Sequence, residues 1–128
     1  MSDQEAIKIQ LVDDDVMAMN ILSLALKTRG FDVTTCTGGA ECLKQLDEGY
    51  EPNLIILDVR MPEPDGITTL GIIRESWNIQ ELPVILLTAV EEAEMTVMGF
   101  KGGANDFINK PVDVEELISR ISLCLQNS

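Results

Sequence analysis

Histidine is absent from this sequence, and its absence removes several classes of enzyme. Serine and cysteine nucleophiles that depend on a histidine base, metal sites of the HExxH type and histidine general acids all require the missing imidazole. Any chemistry performed by this chain therefore uses carboxylates, lysine, hydroxyl groups, thiols or a bound metal ion.

Basic residues are also scarce: the 128 residues include 9 Lys and Arg against 22 Asp and Glu, a net charge of −13. This balance argues against direct contact with nucleic acid and against an anionic membrane surface, because both need clustered Lys and Arg. No apolar run approaches the ~20 residues of a membrane-spanning helix. Aromatic residues make up 4% of the chain, so the core of what we interpret as one domain, residues 1–128, must be aliphatic.

The three cysteines, Cys36, Cys42 and Cys124, follow neither the spacing of a CxxC metal site nor that of a disulfide framework. The N-terminus shows no leader of charged and then apolar residues. We therefore expect buried, reduced thiols and a cytoplasmic protein.

Short runs rich in Val and Ile alternate with segments of helical spacing, which is typical of consecutive strand–helix units. Five strands are predicted, at Ile7–Val12, Phe31–Thr35, Leu54–Leu57, Val84–Leu87 and Asp106–Ile108. The apolar residues of five predicted helices begin at Val16, Ala40, Ile67, Ala93 and Val114. Five such units favour an α/β fold, a doubly wound parallel sheet with helices on both faces.

Acidic side chains follow two of the predicted strands, at the edge of the sheet where ligands of doubly wound folds bind. Asp13, Asp14 and Asp15 follow the first strand, and Asp58 follows the third. Unpaired carboxylates at adjacent strand tips repel each other, so they need raised pKa values or a cation. Carboxylate oxygens without Cys or His beside them select Mg²⁺ or Mn²⁺. We predict a metal site at Asp13, Asp14 and Asp58, and a helix N-cap at Asp15.

Two further polar residues belong to the same edge, because Thr88 follows the fourth strand and Lys110 follows the fifth. Lys110 offers a cation opposite the three carboxylates, and we interpret the Thr88 hydroxyl as a donor to a bound anion. A carboxylate nucleophile, a divalent metal, a lysine and a hydroxyl together provide the groups for phosphoryl transfer through an aspartyl phosphate.

The sequence resembles the receiver domains of bacterial two-component response regulators, the CheY-like family, over residues 6–126. Four motifs carry the resemblance in this order: Leu11–Asp15, Leu57–Pro62 with Asp65-Gly66, Leu87–Ala89 and Gly103–Pro111. The resemblance implies a flavodoxin-like five-stranded sheet of order 2-1-3-4-5 with five helices. It also implies a signalling phosphoacceptor rather than an enzyme, which takes a phosphoryl group from a histidine kinase or a histidine phosphotransfer protein. Self-phosphorylation and autodephosphorylation that depend on Mg²⁺ are implied as well.

The resemblance assigns a role to each matching residue around the metal. Asp58 matches the aspartate that is phosphorylated and also binds the ion. Asp14 matches a direct metal ligand, and Asp13 matches an acid that acts through metal-bound water. The backbone carbonyl of Arg60 matches a third protein ligand.

The resemblance likewise assigns the switch and the output surface. Lys110 matches the lysine that pairs with the phosphoryl group, Thr88 the hydroxyl residue that moves to bind it, and Phe107 the aromatic residue that then turns inward. The peptide bond between Lys110 and Pro111 is expected to be cis. The face of helix 4, strand 5 and helix 5 is expected to contact an output domain or target protein, in a monomer or a phosphorylation-dependent dimer.

Some receivers of transcription factors form dimer salt bridges at the positions of Asp106 and Arg120. Ordinary surface charge explains this pair equally well, so both interpretations stay open.

Two side chains near the acceptor depart from the family pattern: Arg60, two residues after Asp58, and Val90, two residues after Thr88. Val90 offers no hydrogen bond to orient water, and nothing in the sequence gives the Arg60 guanidinium a fixed partner. We expect Arg60 to cover the phosphoryl oxygens and so favour a long-lived phosphoryl group, although an arginine is also able to stabilise the charge of the transfer.

Three alternatives compete with a phosphoacceptor. A degenerate receiver would act only as a protein-binding module. A metal-dependent phosphohydrolase of the haloacid-dehalogenase type would need Asp where Arg60 stands, and a capping insertion that this chain lacks. In a flavodoxin-like FMN carrier, the three aspartates after the first strand would repel the FMN phosphate.

Overall fold

The computed structural model describes residues 6–126 and, within them, every side chain except that of Val90. In these residues five parallel strands form one sheet in the order β2-β1-β3-β4-β5. The strands are β1 (Lys8–Val12), β2 (Asp32–Cys36), β3 (Leu54–Asp58), β4 (Val84–Thr88) and β5 (Asp106–Asn109). Their ends are aligned, since Val12 of β1 pairs with Cys36 of β2 and with Leu57 of β3. The predicted α/β fold and strand order are confirmed.

Within residues 6–126, five α-helices connect and follow the strands: α1 (Val16–Thr28), α2 (Gly39–Asp47), α3 (Gly66–Ser76), α4 (Ala93–Lys101) and α5 (Val114–Gln126). A short 3₁₀ turn, Val90–Glu92, precedes α4. The carboxylate of Asp15 accepts a hydrogen bond of 3.1 Å from the N–H of Ala18 and caps α1, as predicted. Within the described range no helix is long and apolar enough to cross a bilayer.

The core lies on both faces of the sheet, which explains why β3 and β4 are apolar without alternation. Helices α1 and α5 pack on one face, and α2, α3 and α4 pack on the other. The cysteines are free and buried within these two layers, in agreement with the prediction.

Helix α4 departs from the predicted apolar pattern. Val97 and Phe100 set its helical spacing in the sequence, yet their side chains are exposed. The residues that face the sheet are Thr96 and Gly99. A Cβ at Gly99 would lie 2.3 Å from a methyl carbon of Leu86, so the glycine permits the close approach of α4 to β4.

Candidate functional site

Three carboxylates meet at the carboxyl edge of the sheet, because β1 and β3 are neighbours that end at the same level. One side-chain oxygen from each of Asp13, Asp14 and Asp58 lies within 4.8 Å of the others. Asp13 and Asp58 are 4% and 2% exposed, whereas Asp14 is open to solvent. The structure thus brings together the three acids that the sequence places at these strand ends.

Lys110 completes this cluster from the end of β5. Its ammonium nitrogen lies 2.9 Å from Oδ1 of Asp58, and its backbone N–H donates a 2.7 Å hydrogen bond to the carbonyl of Thr88. The peptide bond to Pro111 is cis, as expected; the bond between Glu63 and Pro64 is also cis, which we had not predicted. Burial alone would lower the pKa of Lys110, but Asp58, Asp13 and Glu92 raise it, so the ammonium stays charged.

The ionisation of Asp58 reflects its surroundings. Burial raises the pKa of Asp58, Lys110 opposes this, and the adjacent Asp13 adds to it, with a result of about 7. The cluster therefore holds more negative charge than its single lysine balances.

The donor set of the three acids fits a hard divalent cation. All three side chains offer oxygen, and no cysteine joins the group in the described part of the chain. Oδ1 of Asp58 is buried and receives no well-aligned hydrogen bond within residues 6–126, although the Lys110 ammonium is close. The Asp58 carboxylate, with one oxygen facing the lysine, thus combines an ion pair with a place in the acidic cluster.

Thr88 lies at the end of β4 with its side chain fully buried. Its hydroxyl oxygen accepts a 3.0 Å hydrogen bond from the side-chain amide of Asn109. A hydroxyl that accepts one bond still has its hydrogen to donate. Asn109 is a site residue that was not predicted, although it directly precedes Lys110 and pairs with Thr88 in the register of β4 and β5.

Phe107 is half-buried on β5 and contacts Phe100 of α4. The two rings meet edge to face, with centroids 5.6 Å apart and planes at 85°. The aromatic residue assigned to the switch therefore lies between the sheet edge and α4.

Comparison with known proteins identifies the family. Residues 9–122 match the family model of the response regulator receiver domain. The chain belongs to this family.

Relatives and a solved structure agree with this assignment. The transcriptional regulatory protein CpxR homolog of Haemophilus influenzae and CpxR of Escherichia coli K12 are 44% and 38% identical to this chain over 121 residues. These matches cover 94% of this chain but 51% and 50% of the relatives, so the receiver domain spans about half the length of the curated relatives it matches. A putative response regulator from Chloroflexus aurantiacus is 32% identical with a TM-score of 0.88, over 95% of this chain and 99% of that structure.

Family membership makes this chain a phosphoacceptor receiver domain of two-component signalling. It does not favour the phosphohydrolase, the flavin carrier or the degenerate binding module.

The Arg60 guanidinium has a partner that is not visible in the sequence. Its Nε pairs with Oε2 of Glu92, a buried carboxylate at the start of α4. The sequence shows no sign of this pair, since 32 residues and a helix separate its members. The side chain of Val90, the other departure from the family pattern, is not among those that the structure describes.

Asp106 and Arg120 form an ion pair with each other. One guanidinium nitrogen of Arg120 lies 2.8 and 2.9 Å from the two carboxylate oxygens of Asp106. Arg120 also contacts Glu116 one turn earlier on α5, at 3.4 Å. A dimer salt bridge at these positions would therefore have to replace contacts within the chain.

Proposed function

We propose that this receiver domain accepts a phosphoryl group on Asp58 from the phosphohistidine of a histidine kinase or a histidine phosphotransfer protein. The observation that carries the proposal is a buried acid beside a cation at the ligand-binding edge of the sheet: Asp58 is 2% exposed and Lys110 lies 2.9 Å away. Burying a carboxylate in this way costs free energy, and a chemical role gives a reason for that cost.

The transfer exchanges one bond to phosphorus for another. A carboxylate oxygen of Asp58 attacks phosphorus, a P–O bond forms as the P–N bond to the donor imidazole breaks, and the imidazole leaves with a proton from solvent. Lys110 balances charge on the phosphoryl oxygens, and the uncommitted hydroxyl hydrogen of Thr88 donates to one of them. The same attack on a small acyl phosphate, with its carboxylate as leaving group, gives self-phosphorylation. Attack of water on the phosphorus of phosphorylated Asp58 then releases inorganic phosphate and restores the carboxylate.

The metal ion of this reaction would be Mg²⁺ or Mn²⁺, held by Asp14, Asp58, the backbone carbonyl of Arg60 and, through water, Asp13. The all-oxygen cluster within 4.8 Å supports this ligand set. Once bound, the ion neutralises negative charge on the acceptor carboxylate and on the incoming phosphoryl oxygens.

Thr88 and Phe107 form the switch in this proposal. Thr88 turns toward the phosphoryl group, and the Phe107 ring moves inward beside it. The half-buried setting of Phe107 and its edge-on contact with Phe100 leave the ring only partly held by its neighbours.

The phosphodonor has a suitable surface next to the acceptor. Helix α1 exposes four large apolar side chains to solvent: Val16, Met17, Ile21 and Leu24. A groove along α1 continues from Ile21 to Asp13 and Lys110 at the site itself. A helix of the phosphodonor that covers these residues would place its phosphohistidine at Asp58.

The output surface lies on the other side of the switch. Val97 and Phe100 of α4 and Leu123 of α5 are exposed, and a groove joins Phe100 to Leu123 and Asp106. We assign this α4–β5–α5 face to an output domain or a target protein, or to a second copy after phosphorylation. The net charge of −13 supports control of such a partner rather than direct contact with nucleic acid.

We place this activity in the cytoplasm, where thiols stay reduced. Three free cysteines support this location.

Intact-mass measurement after incubation with acetyl phosphate and Mg²⁺ tests the acceptor. The wild-type chain should gain one phosphoryl group, and Asp58→Asn should gain none. Asp15→Asn is the matched control, because Asp15 adjoins the cluster but caps α1; it should still be phosphorylated. Persistence of the adduct in Asp58→Asn would exclude this residue as the acceptor.

A further inference from the structure

The ion pair between Arg60 and Glu92 joins two residues in very different settings. The side chain of Glu92 is 4% exposed, whereas that of Arg60 is 74% exposed. Glu92 is fixed at both oxygens, because Oε1 accepts a 2.7 Å hydrogen bond from the N–H of Ala89 while Oε2 pairs with Arg60. Arg60 is therefore the member of the pair that is free to move.

This pair ties together the two loops that flank the acceptor. Arg60 follows Asp58 by two residues, and Ala89 directly follows Thr88. Burial raises the pKa of Glu92, but the Ala89 N–H and the Arg60 guanidinium outweigh it and leave the pKa below its usual value. Glu92 is thus a fixed anion shortly after the switch threonine in the chain, and its partner Arg60 lies two residues after the acceptor.

Phosphorylation would place a competing anion beside the same guanidinium. Glu92 is the main cause of the raised pKa of Arg60, and Glu91 and Asp58 add to it. Arg60 also follows Asp58 by two residues in the chain. A phosphoryl group carries a charge of roughly −2 near neutral pH and three strong acceptor oxygens, more than a single carboxylate offers.

We propose that Glu92 is a positioning residue for the phosphoryl chemistry. While Asp58 is unmodified, Glu92 holds the Arg60 side chain against the loop before α4. After phosphorylation, Arg60 leaves Glu92 and pairs with the phosphoryl oxygens instead. The inference rests on Asp58 as the phosphoacceptor. Arg60 on the phosphoryl group covers its oxygens and slows hydrolysis. Glu92 competes for the guanidinium and so sets how long the phosphoryl group survives.

The exchange also has a consequence for the switch. A buried carboxylate that loses its cation is destabilised. Because Glu92 also accepts a hydrogen bond from the N–H of Ala89, the departure of Arg60 would alter the electrostatic setting of the loop that carries Thr88 into α4.

The decay of the phosphorylated protein tests this exchange through a double-mutant cycle of Arg60→Met and Glu92→Gln. Each variant is phosphorylated with acetyl phosphate and Mg²⁺, freed of donor, and followed by intact mass. Glu92→Gln should lengthen the half-life by about fivefold, the effect of removing one partly exposed ion-pair competitor. Arg60→Met should shorten it, and the double variant should match Arg60→Met. Glu94→Gln, an exposed acid in the first turn of α4, should leave the half-life unchanged.

The results separate this inference from the proposal beneath it. The exchange is overturned if Glu92→Gln leaves the half-life unchanged or shortens it. It is also overturned if Glu92→Gln changes the half-life by the same factor in the wild-type and Arg60→Met backgrounds. In either case Asp58 remains the acceptor. Absence of any adduct in the wild-type chain overturns both. If Glu92→Gln does not unfold cooperatively, Glu92→Asp, which withdraws the carboxylate by one carbon, takes its place with the same expected direction.

Discussion

Lys110 places its ammonium nitrogen 2.9 Å from Oδ1 of Asp58, yet the pKa of Asp58 is raised to about 7. The largest cause is burial of the carboxyl, and the adjacent Asp13 adds to it. One lysine therefore does not stabilise the ionised acceptor in full. Additional positive charge at this cluster would stabilise the ionised carboxylate of Asp58.

A pH dependence of stability follows from this raised pKa. Below the unfolded pKa, near 4, Asp58 is protonated in both states, and its contribution to stability is fully present. As the pH rises toward 7, the unfolded chain ionises more readily than the folded chain, so this stability is lost. In EDTA, the unfolding free energy of Asp58→Asn minus that of wild type should grow by on the order of 2–4 kcal/mol between about pH 4 and pH 8.

Urea unfolding across this pH range measures the difference directly. The test is how the difference in unfolding free energy between Asp58→Asn and wild type changes with pH. A part of that difference that does not change with pH comes from other effects of the substitution. A difference that stays constant with pH would contradict the raised pKa of Asp58.

Removal of one carboxylate should change the response of the fold to Mg²⁺. A cation that binds only the folded chain raises the midpoint of thermal unfolding. Asp14→Ala relieves the repulsion among the acids, so we expect a higher midpoint in EDTA and no further rise with millimolar Mg²⁺. Differential scanning calorimetry with and without Mg²⁺ provides the measurement.

The neighbouring acid gives the control for this experiment. Asp15→Ala removes the same charge but also the cap of α1, which should lower the midpoint by the equivalent of about 1 kcal/mol. Its rise with Mg²⁺ should remain. A wild-type midpoint that ignores Mg²⁺ would contradict the metal site.

The sequence sufficed to place Asp13, Asp58 and Lys110 together, because parallel strands bring their carboxyl ends to one edge whatever their loops do. It did not predict the partner of Arg60. That contact depends on how the loop before α4 folds back, and no periodic pattern encodes such a loop. The sequence also did not predict that Thr96 and Gly99, rather than Val97, are the buried residues of α4. Helix α4 packs closely on β4, so small residues face the sheet where the apolar spacing predicts large ones.

Arg74 is a structural arginine that sequence reasoning also overlooked. Its half-buried guanidinium donates hydrogen bonds to the backbone carbonyls of Gly103 and Leu82, both at 2.8 Å, and to the side chain of Asn105 at 3.0 Å. Arg74→Met removes these hydrogen bonds and leaves the two carbonyls without their donor, although the Asn105 oxygen keeps its bond from the N–H of Val84. We expect the unfolding free energy to fall by about 2–4 kcal/mol.

The matched control replaces an arginine whose contact is exposed. Arg29 pairs with Glu115 at the surface, and Arg29→Met should change the unfolding free energy much less than Arg74→Met does. Urea denaturation of both variants compares the two costs. Equal losses would show that the Arg74 contacts contribute no more than a surface ion pair.

The central claim is that the phosphoryl group resides on the carboxylate of Asp58, and trapping the acyl phosphate tests it most directly. The receiver domain is phosphorylated with phosphoramidate, whose P–N bond resembles that of phosphohistidine, in the presence of Mg²⁺. Borohydride then reduces the acyl phosphate to an alcohol, which converts the modified aspartate to homoserine, and peptide mass mapping locates it. The account predicts homoserine at position 58 and at no other aspartate. Homoserine at position 13 or 14, or a stable phosphoryl group that borohydride does not reduce, would contradict it.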